Sequence, residues 1–271
     1  MDMFRILRGT GGERVFKVTT ISALALLALF FIGIIVSMLA YTEWDTFVSA
    51  LFSEEILFAI RLSVMTATIA AVISILIAVP VAYAISRTSF PGKDIVDSLL
   101  DLPIVISPVA LGAALLVFFN TPLGSAIDDN VIKFVFSVPG IVLAQITVIS
   151  ALAIRLLKST FDSIDPRFEQ VARTLGCSKP EAFFRVTLPL ARDGLIASGI
   201  LTWARAVGEF GATVTLAGAT AMKTETLPTA IYLSLASADV EKAIAVIFVL
   251  VIIAVIALLV IRKVIGRRYQ I

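Results

Sequence analysis

Few of the chain's side chains are of the types and spacings that carry chemistry. The sequence has no histidine, and Cys177 is its one cysteine. The commonest general base and metal ligand is therefore missing, and neither a disulfide within the chain nor a multi-cysteine metal site can form. The phosphate-binding pattern G-x-x-x-x-G-K-[ST] is also absent. We therefore expect no catalysis and no bound cofactor in this chain, so that any nucleotide driving it must bind to another protein.

The residues that stand out are Arg205 and Glu209, which lie four apart within an otherwise apolar stretch. Side chains four apart share one face of a helix. Ionisable residues inside a membrane are costly and usually face the protein interior or a water-filled path. The two residues are interpreted either as part of a translocation pathway or gate, or as an ion pair that neutralises both charges within one helix.

Composition identifies the surroundings of this pair as lipid. Of the 271 residues, 59% are hydrophobic and 15% are charged, and the mean hydropathy is +1.03. Soluble domains usually have about a quarter of their residues charged. So few charges cannot cover a water-facing surface of this size, and we expect an integral, all-α membrane protein.

Long apolar runs define the expected membrane spans. A spanning helix needs about 20 mostly apolar residues. Five runs have no charged residue: 18–42, 62–86, 102–127, 134–154 and 243–261. The stretch 195–217, which contains Arg205 and Glu209, is counted as the fifth span in order. The sequence therefore predicts six transmembrane helices, the first of which is too long for the apolar core of a cleaved signal peptide.

Lysine and arginine set the predicted orientation, since they concentrate in cytoplasmic loops. Seventeen of the 22 lie in the terminal tails and the two connections expected on the same side, and only Lys133, Lys223 and Lys242 lie on the other side. We expect both termini in the cytoplasm and a multi-pass protein of the plasma membrane. The predicted organisation is a tail (1–17), one transmembrane domain (18–262) with a cytoplasmic loop at 159–194, and a second tail (263–271).

The cytoplasmic loop 159–194 is long for a connection and is expected to be structured. Asp165-Pro166 is a helix start signal, and Gly176 is suited to a helix end with positive φ. Between them, one apolar face is expected from Phe168, Val171, Ala172 and Leu175.

A second short helix is expected immediately after this glycine. Ser178 and Glu181 have the spacing of a capping box, and Pro180 falls in the first turn, where it is tolerated. The helix is expected to stop near Leu188, because Pro189 disfavours helix in the residue before it. Two such helices indicate either a docking surface or an amphipathic segment lying on anionic lipid.

The loop resembles the "EAA" loop of ABC importer permeases. Glu169-Gln170-Val171-Ala172, then Gly176 and Leu188-Pro189, follow the family pattern, with Gln170 and Val171 in place of two alanines. In that family the loop forms the coupling helix that sits in a groove of the ATPase subunit. The resemblance implies an ATPase-coupling loop that includes Glu169, Ala172, Leu175, Gly176, Glu181, Leu188 and Pro189.

A second resemblance narrows the family. The stretch 204–213, ARAVGEFGAT, with Leu216-Ala217-Gly218 and the segment 226–232, is similar to the fifth-helix region of molybdate, tungstate and sulfate permeases. Sulfate permeases usually have tyrosine at the position of Phe210. The resemblance therefore implies a type I ABC importer permease for molybdate or tungstate, with sulfate or another oxyanion as the alternative.

The resemblance also implies an assembly. It comprises a homodimer of this subunit, two ATPase subunits that hold ATP and magnesium, and an external oxyanion-binding protein, with no role for nucleic acid. The chain is then a non-catalytic subunit of an ATP-hydrolysing complex. A secondary transporter or channel working alone is the alternative from another class, although no internal repeat of the kind common in secondary transporters is evident.

Several residues of the fifth and third spans are candidates for the pathway or gate. Hydroxyl donors can contact an oxyanion without trapping it by charge, but they also bond back to their own helix. Small residues allow close helix packing or a flexible gate. The candidates are Arg205, Gly208, Glu209, Gly211, Thr213, Thr215 and Ser107.

Overall fold

The computed structural model of the protein describes residues 10–41 and 43–266, and all regular secondary structure in these ranges is helical. Arg5, Arg8, Arg267 and Arg268, which contribute to the predicted orientation, lie outside the described residues. The chain divides into two compact units, one through Val48 and one from Ser49 onward.

The first unit is dominated by one long helix, α1, Thr10–Tyr41. Its apolar segment Gly12–Met38 is long enough to cross a membrane. Large apolar side chains such as Leu24 and Leu26 are exposed around it. This helix matches the predicted first span and begins eight residues earlier. A short helix, α2, Trp44–Leu51, follows it.

The second unit contains the other helices, and its core combines large side chains such as Phe161 and Leu157 with many small ones. Ala67, Ala70, Ala78 and Ala153 are fully buried, which lets helix backbones approach closely where lipid provides little hydrophobic drive. The helices are α3 Glu54–Arg87, α4 Lys93–Val105, α5 Pro108–Phe119, α6 Pro122–Asn130, α7 Val138–Asp162, α8 Arg167–Thr174, α9 Lys179–Ala182, α10 Leu188–Leu190, α11 Arg192–Val207, α12 Gly211–Leu216, α13 Leu227–Ala236 and α14 Val240–Gly266. A single π-helical turn, Phe183–Thr187, joins α9 to α10. Helix α3 packs along α7, and α11 packs against both.

Apolar helices of membrane-crossing length make this a membrane protein. Within residues 10–41 and 43–266, four helices are long and apolar enough to span, namely α1, α3, α7 and α14. The pair α4 and α5 provides a fifth if it is taken as one span with a bend of 108°. The count of six spans and the cytoplasmic position of the termini therefore stay predictions.

The third predicted span, 102–127, is wrong as a single helix. Helix α4 ends at Val105, and a new helix begins at Pro108 after Ser107 takes an extended conformation with ψ 135°. A proline disfavours helix in the residue before it, which explains the break. Pro103, at the start of the predicted run, lies inside α4.

The fourth span continues two turns beyond its predicted end at Ile154. Helix α7 runs to Asp162 and includes Arg155 and Lys158, which the sequence prediction left between the end of the span and the start of the loop. The Arg155 guanidinium pairs with Asp97 and Asp101 of α4, and the Lys158 ammonium lies 2.9 Å from the Asp162 carboxylate. Because these charges are compensated, the helix continues past them.

The fifth span is also divided. Helix α11 ends at Val207 with Gly208 as its cap residue, and α12 begins at Gly211. The Glu209 carboxylate Oε1 accepts a hydrogen bond of 3.1 Å from the Ala212 N–H. A side chain that satisfies a free N–H in the first turn of a helix favours a helix start at that point. The predicted single helix 195–217 is therefore two helices separated by three residues.

Candidate functional site

The cytoplasmic loop folds into an elbow, residues 165–190, of two helical arms. The first arm is α8, and the Asp165 carboxylate accepts a 2.9 Å hydrogen bond from the Arg167 N–H at its start. Gly176 ends the arm with φ +97°, which confirms the predicted left-handed turn. A Cβ at this position would have no atom within 4 Å, so the constraint on the residue is backbone conformation and not space.

The second arm begins with the predicted capping box. The Ser178 N–H donates to Glu181 Oε2 at 2.8 Å, and the Ser178 hydroxyl accepts from the Glu181 N–H at 3.4 Å. The bonds from the Ser178 backbone and hydroxyl lower the pKa of Glu181 below its ordinary value. Its side chain is therefore a carboxylate that fixes the start of α9.

The predicted stop near Leu188 is wrong, because the second arm continues through Pro189 to Leu190. In an α-helix, the proline ring would clash with the carbonyl four residues earlier. Here the preceding turn is π-helical, and the Leu188 N–H donates to the Phe183 carbonyl, five residues back. This wider turn provides the room that an α-turn would not.

The elbow presents large apolar side chains to its surroundings. Phe168, Val171, Leu175 and Phe184 are between 56% and 81% exposed. Ala172, which shares their predicted face, is buried, so the face divides into an exposed part and an anchoring part. The cations Arg167, Arg173 and Arg185 of the same elbow are exposed as well. A cluster of exposed large apolar side chains is typical of a surface that binds another protein.

Glu169 faces the opposite way, toward α3. Its Oε2 accepts a 2.8 Å hydrogen bond from the Tyr83 hydroxyl. Its Oε1 accepts from Arg87 Nε at 3.0 Å and from the Thr187 hydroxyl at 2.8 Å. We call these four residues the clamp. It joins three elements, namely the end of α3, the first arm of the elbow and the π-helical turn.

Arg87 extends the clamp to the end of α7. Its Nη2 donates a 2.7 Å hydrogen bond to the Ile164 carbonyl, while its Nε is bound to Glu169. Only 10% of the Arg87 side chain and 13% of the Glu169 side chain are exposed. A largely buried, charge-assisted pair of this kind is stronger than a surface ion pair.

The clamp holds Glu169 in its ionised form. Burial alone would raise the pKa of this carboxyl. The hydrogen bonds from Thr187, Tyr83 and Arg87, together with the Arg87 charge, outweigh burial and lower the pKa below its ordinary value.

Sequence reasoning found Glu169 but missed the residues that bind it. Arg87 was assigned only to a short basic connection, and Tyr83 and Thr187 lie in segments with no distinguishing pattern. Three clamp residues, Tyr83, Arg87 and Glu169, line a cleft of about 260 Å³. Its other lining residues include Gln170, Arg173 and Lys179.

Arg205 and Glu209 form an ion pair at the break in the fifth predicted span. Arg205 Nη1 lies 2.7 Å from Glu209 Oε2, with 39% of the arginine side chain and 1% of the glutamate side chain exposed. Glu209 is thus enclosed and paired, while its other oxygen starts α12. Arg205 lies in the last turn of α11 and Glu209 in the connection before α12, so the pair does not lie within one helix.

Helices α5 and α12 meet through glycines. A Cβ on Gly211 would lie 2.9 Å from the Val109 backbone nitrogen, and a Cβ on Gly112 would lie 2.7 Å from Cα of Ala212. A Cβ on Gly208, in contrast, would have no atom closer than 3.8 Å. Close packing therefore requires glycine at the first two positions, and Gly208 is left as a helix end.

The hydroxyl candidates differ in how they are bound. The Thr215 hydroxyl donates to the Gly211 carbonyl at 2.7 Å within its own helix. The Thr213 hydroxyl is buried and has no hydrogen-bond partner among the described residues. Ser107 is exposed and its hydroxyl does not cap α5, so it is free to contact a solute.

Two further contacts near the broken spans, a hydrogen bond and a ring contact, were not found from sequence. Gln145, fully buried in α7, donates a 3.1 Å hydrogen bond to the Ala206 carbonyl at the end of α11. The ring of Phe210 lies 5.4 Å from that of Tyr232. No cluster of three metal-binding side chains occurs within residues 10–41 and 43–266, and the expectation of no bound cofactor stays a prediction.

Comparison with known proteins gives a family and close relatives. Residues 71–270 match the family model described as "Binding-protein-dependent transport system inner membrane component". A probable molybdenum ABC transporter permease protein of Haloferax volcanii is 40% identical over 208 residues, which cover 76% of this chain and 75% of that protein. A molybdate/tungstate transport system permease protein of Thermococcus kodakarensis is 38% identical over 176 residues, which cover 65% and 67%.

The fold has solved counterparts at low sequence identity. A chain in the crystal structure of a bacterial alginate ABC transporter, in complex with its alginate pentasaccharide-bound periplasmic protein, matches with a TM-score of 0.76. It is 16% identical, and the match covers 100% of this chain and 99% of that one. The likeness shows the fold of an ABC importer permease.

Proposed function

The chain belongs to the family of binding-protein-dependent transport system inner membrane components, and from this premise we propose that it is the permease subunit of an ABC importer for molybdate or tungstate. The observation that carries the proposal is its similarity to the molybdenum and molybdate/tungstate permeases over most of its length. The segment 204–213 also resembles these permeases, and Phe210 stands there where sulfate permeases usually have tyrosine.

The elbow is the proposed docking element for the ATPase. Phe168, Leu175 and Phe184 are exposed apolar side chains, and their burial in a groove of a partner would remove them from water. Each complete transporter would contain two copies of this chain, two ATPase subunits that hold ATP and magnesium, and an external binding protein. This chain would itself hydrolyse nothing.

The proposed pathway runs beside the broken helices. A dianionic oxyanion is repelled by an exposed carboxylate, but Glu209 is enclosed and paired with Arg205, so the pair leaves no free negative charge in its way. Ser107 and Thr213 supply neutral hydroxyls near the breaks, the former exposed and the latter without a bound partner. Neutral donors can contact an oxyanion and still release it.

The test is transport by the reconstituted complex. Proteoliposomes containing this chain, its ATPase and its binding protein should accumulate radiolabelled tungstate only when ATP is supplied on the ATPase side. Excess molybdate should block this uptake, and excess sulfate should not.

The competing ions distinguish the proposed function from its alternatives. Block by sulfate would assign the chain to the sulfate permeases, which share the ATPase-coupling loop and most of the 204–213 segment. Tungstate uptake that ignores both ATP and the ATPase would contradict the importer proposal, and a channel or secondary transporter would then be the better account.

A further inference from the structure

Arg61 stands at the start of the membrane-crossing part of α3 and has no partner in the described part of the chain. The charge-free run 62–86 begins at the next residue. As a helix this run extends for about 37 Å, more than the hydrocarbon core of a bilayer, which is about 30 Å thick. Arg61 is therefore expected at the level of the lipid headgroups. It is exposed, and it forms neither a hydrogen bond nor an ion pair with any residue that the structure describes.

An apolar cavity adjoins Arg61 on the surface of α3. Its volume is about 610 Å³. Residues three and four apart lie on the same helix face, and the cavity follows one such face away from the arginine. Its other lining residues are Ile60, Val64, Met65, Thr68 and Ile69.

A second apolar cavity, of about 370 Å³, shares Thr68 with the first and lies between α3 and α11. Leu76 lines its α3 side, and Gly199 and Trp203 line its α11 side. A Cβ on Gly199 would have no atom within 4 Å, so the glycine leaves this cavity open. The Trp203 indole N–H donates a 3.0 Å hydrogen bond to the Thr68 hydroxyl, which satisfies the polar group of the ring and leaves its apolar surface to line the cavity.

We propose that these two cavities, with Arg61 at one end, bind one phospholipid of net negative charge. The headgroup phosphate binds the Arg61 guanidinium, and one acyl chain lies along α3 past Thr68 and beside Trp203. The distance along the helix from Arg61 to Leu76 is about 22 Å. It is long enough for a chain that fills one leaflet, which is about half of the 30 Å core. This site does not depend on which ion the protein transports.

The lining of the cavities favours a lipid over a free oxyanion. Arg61 is the one cation that lines them, and the Thr68 hydroxyl already donates to the Val64 carbonyl at 2.6 Å. On another side, Arg61 lines a cavity with Glu54, with which it forms no ion pair. This carboxylate repels a dianion more strongly than a headgroup phosphate, which has one negative charge. The remaining apolar surface suits an acyl chain and offers nothing to an ion.

Two variants test the two ends of the site separately. Arg61→Gln removes the charge and keeps the groove, whereas Gly199→Leu fills the second cavity and changes no charge. Lys133→Gln is the control for the first, because Lys133 is an exposed cation that lines neither cavity. Gly33→Leu is the control for the second, because a Cβ on Gly33 of α1 also has no atom within 4 Å.

The first measurement is the affinity of the purified full chain for two lipids with the same acyl chains, followed by native mass spectrometry. Phosphatidylglycerol has a net negative charge, whereas choline compensates the phosphate of phosphatidylcholine. We expect one phosphatidylglycerol per chain, bound about fivefold more tightly than phosphatidylcholine, the factor for one cation near an anionic lipid. Arg61→Gln should lose this preference, and Gly199→Leu should weaken both lipids and keep it. Equal affinities in the wild type, or a preference that survives in Arg61→Gln, would overturn the proposal.

The same measurement distinguishes the other occupants. Excess tungstate should not displace phosphatidylglycerol, and displacement would assign Arg61 to the transported ion instead. A dimer of the wild type that retains no lipid would show that a second copy of the chain covers the groove. Either result would overturn the proposal.

The second measurement uses Trp203 as a reporter in bilayers. The chain's two tryptophans are Trp44 and Trp203, and Trp44, which is 68% exposed, is replaced by phenylalanine. Bromine atoms on an acyl chain quench a tryptophan that they contact. A small fraction of brominated phosphatidylglycerol should quench Trp203 more than the same fraction of brominated phosphatidylcholine, and Arg61→Gln should remove the difference. Equal quenching by the two lipids before that substitution would overturn the proposal.

Discussion

Gly112 and Ala212 pack backbone against backbone where α5 meets α12. A Cβ on Gly112 would lie 2.7 Å from the Ala212 Cα and 2.8 Å from its carbonyl oxygen. Neither contact can be relieved by rotating a side chain, because both involve backbone atoms. The separation of these two helices is therefore set by the hydrogen atom that glycine has in place of a side chain.

Gly112→Ala is expected to force α5 and α12 apart and to destabilise the protein. Overpacking of this kind costs about 1–3 kcal/mol, which corresponds to a fall of roughly 2–10 °C in Tm for a chain of this size. Thermal unfolding in detergent measures it. The matched control is Gly199→Ala in α11, where a Cβ would have no atom within 4 Å. A fall in Tm of the same size for both variants would contradict the packing argument.

The Arg205–Glu209 pair predicts an asymmetry between its two neutral variants. Glu209 is 1% exposed and Arg205 is 39% exposed, so removing the arginine leaves a fully buried charge, whereas removing the glutamate leaves a charge that is partly exposed. Breaking a buried pair from one side costs about 3–5 kcal/mol. We expect Arg205→Gln to lower Tm more than Glu209→Gln, and the double variant to recover part of the loss. Strictly additive effects in this double-mutant cycle would show that the pair is not coupled.

The effect of substituting Gly176 should depend on whether the new residue tolerates a positive φ and not on the size of its side chain. Its φ of +97° is unfavourable for residues with a Cβ, at a cost of about 1–2 kcal/mol, although a Cβ would have free space there. We expect Gly176→Val to insert into the membrane but to lose ATP-driven transport, and Gly176→Asn to retain more activity, because asparagine tolerates this region best among larger residues. Equal activity in Gly176→Val and the wild type would refute the role assigned to this turn.

The exposed face of the elbow should determine ATPase binding. Leu175 is 81% exposed, so Leu175→Asp should not disturb folding but should place a charge in an apolar contact. We expect copurification of the ATPase to fall at least severalfold, with Tm unchanged. Val131 is 72% exposed on the connection after α6, and Val131→Asp provides the matched control. Undiminished copurification in Leu175→Asp would remove this face from the docking surface.

The clamp should lose its contribution to stability only at acid pH. The pKa of Glu169 is lowered in the folded protein, because hydrogen bonds from Thr187, Tyr83 and Arg87 outweigh burial. A carboxyl with a lowered folded-state pKa stabilises above its ordinary value, about 4.3, and ceases to do so as pH falls through the folded-state pKa.

The difference in Tm between the wild type and Glu169→Gln measures this dependence. It should be constant from pH 8 to about pH 5 and should shrink below about pH 4.3. A difference that disappears between pH 7 and pH 5 would mean that the folded-state pKa is raised and that the carboxylate is not held by these donors.

Local signals in the sequence predicted the elbow better than the spans. The capping box of Ser178 and Glu181 and the glycine turn at Gly176 depend on a few neighbouring residues, and both are confirmed. The extent of α7 depends instead on Asp97 and Asp101, which lie on another helix and neutralise Arg155. A prediction from hydropathy alone does not include these partners, and it ends the span at the charged residue.

The clamp could not be predicted for a similar reason. Tyr83 and Glu169 are 86 residues apart in the sequence, and nothing in either segment indicates the other. The sequence has a glycine at position 208, where the helix breaks, but the apolar stretch around it is long enough to suggest a continuous helix. What decides the break is the Glu209 carboxylate, which starts α12, and a hydrogen bond of this kind becomes visible only in three dimensions.

The chain's single cysteine lies in the elbow, and a label there would report on movement of the elbow. Cys177 follows Gly176 at the corner of the elbow, its thiol is free and its side chain is partly exposed. One native attachment point is therefore present in each copy of the permease. A spin label at this thiol needs no engineered cysteine in this chain and no removal of others from it. In an assembled transporter with two permeases, pulsed electron resonance would read the distance between the two elbows directly, and would follow it through the ATP cycle.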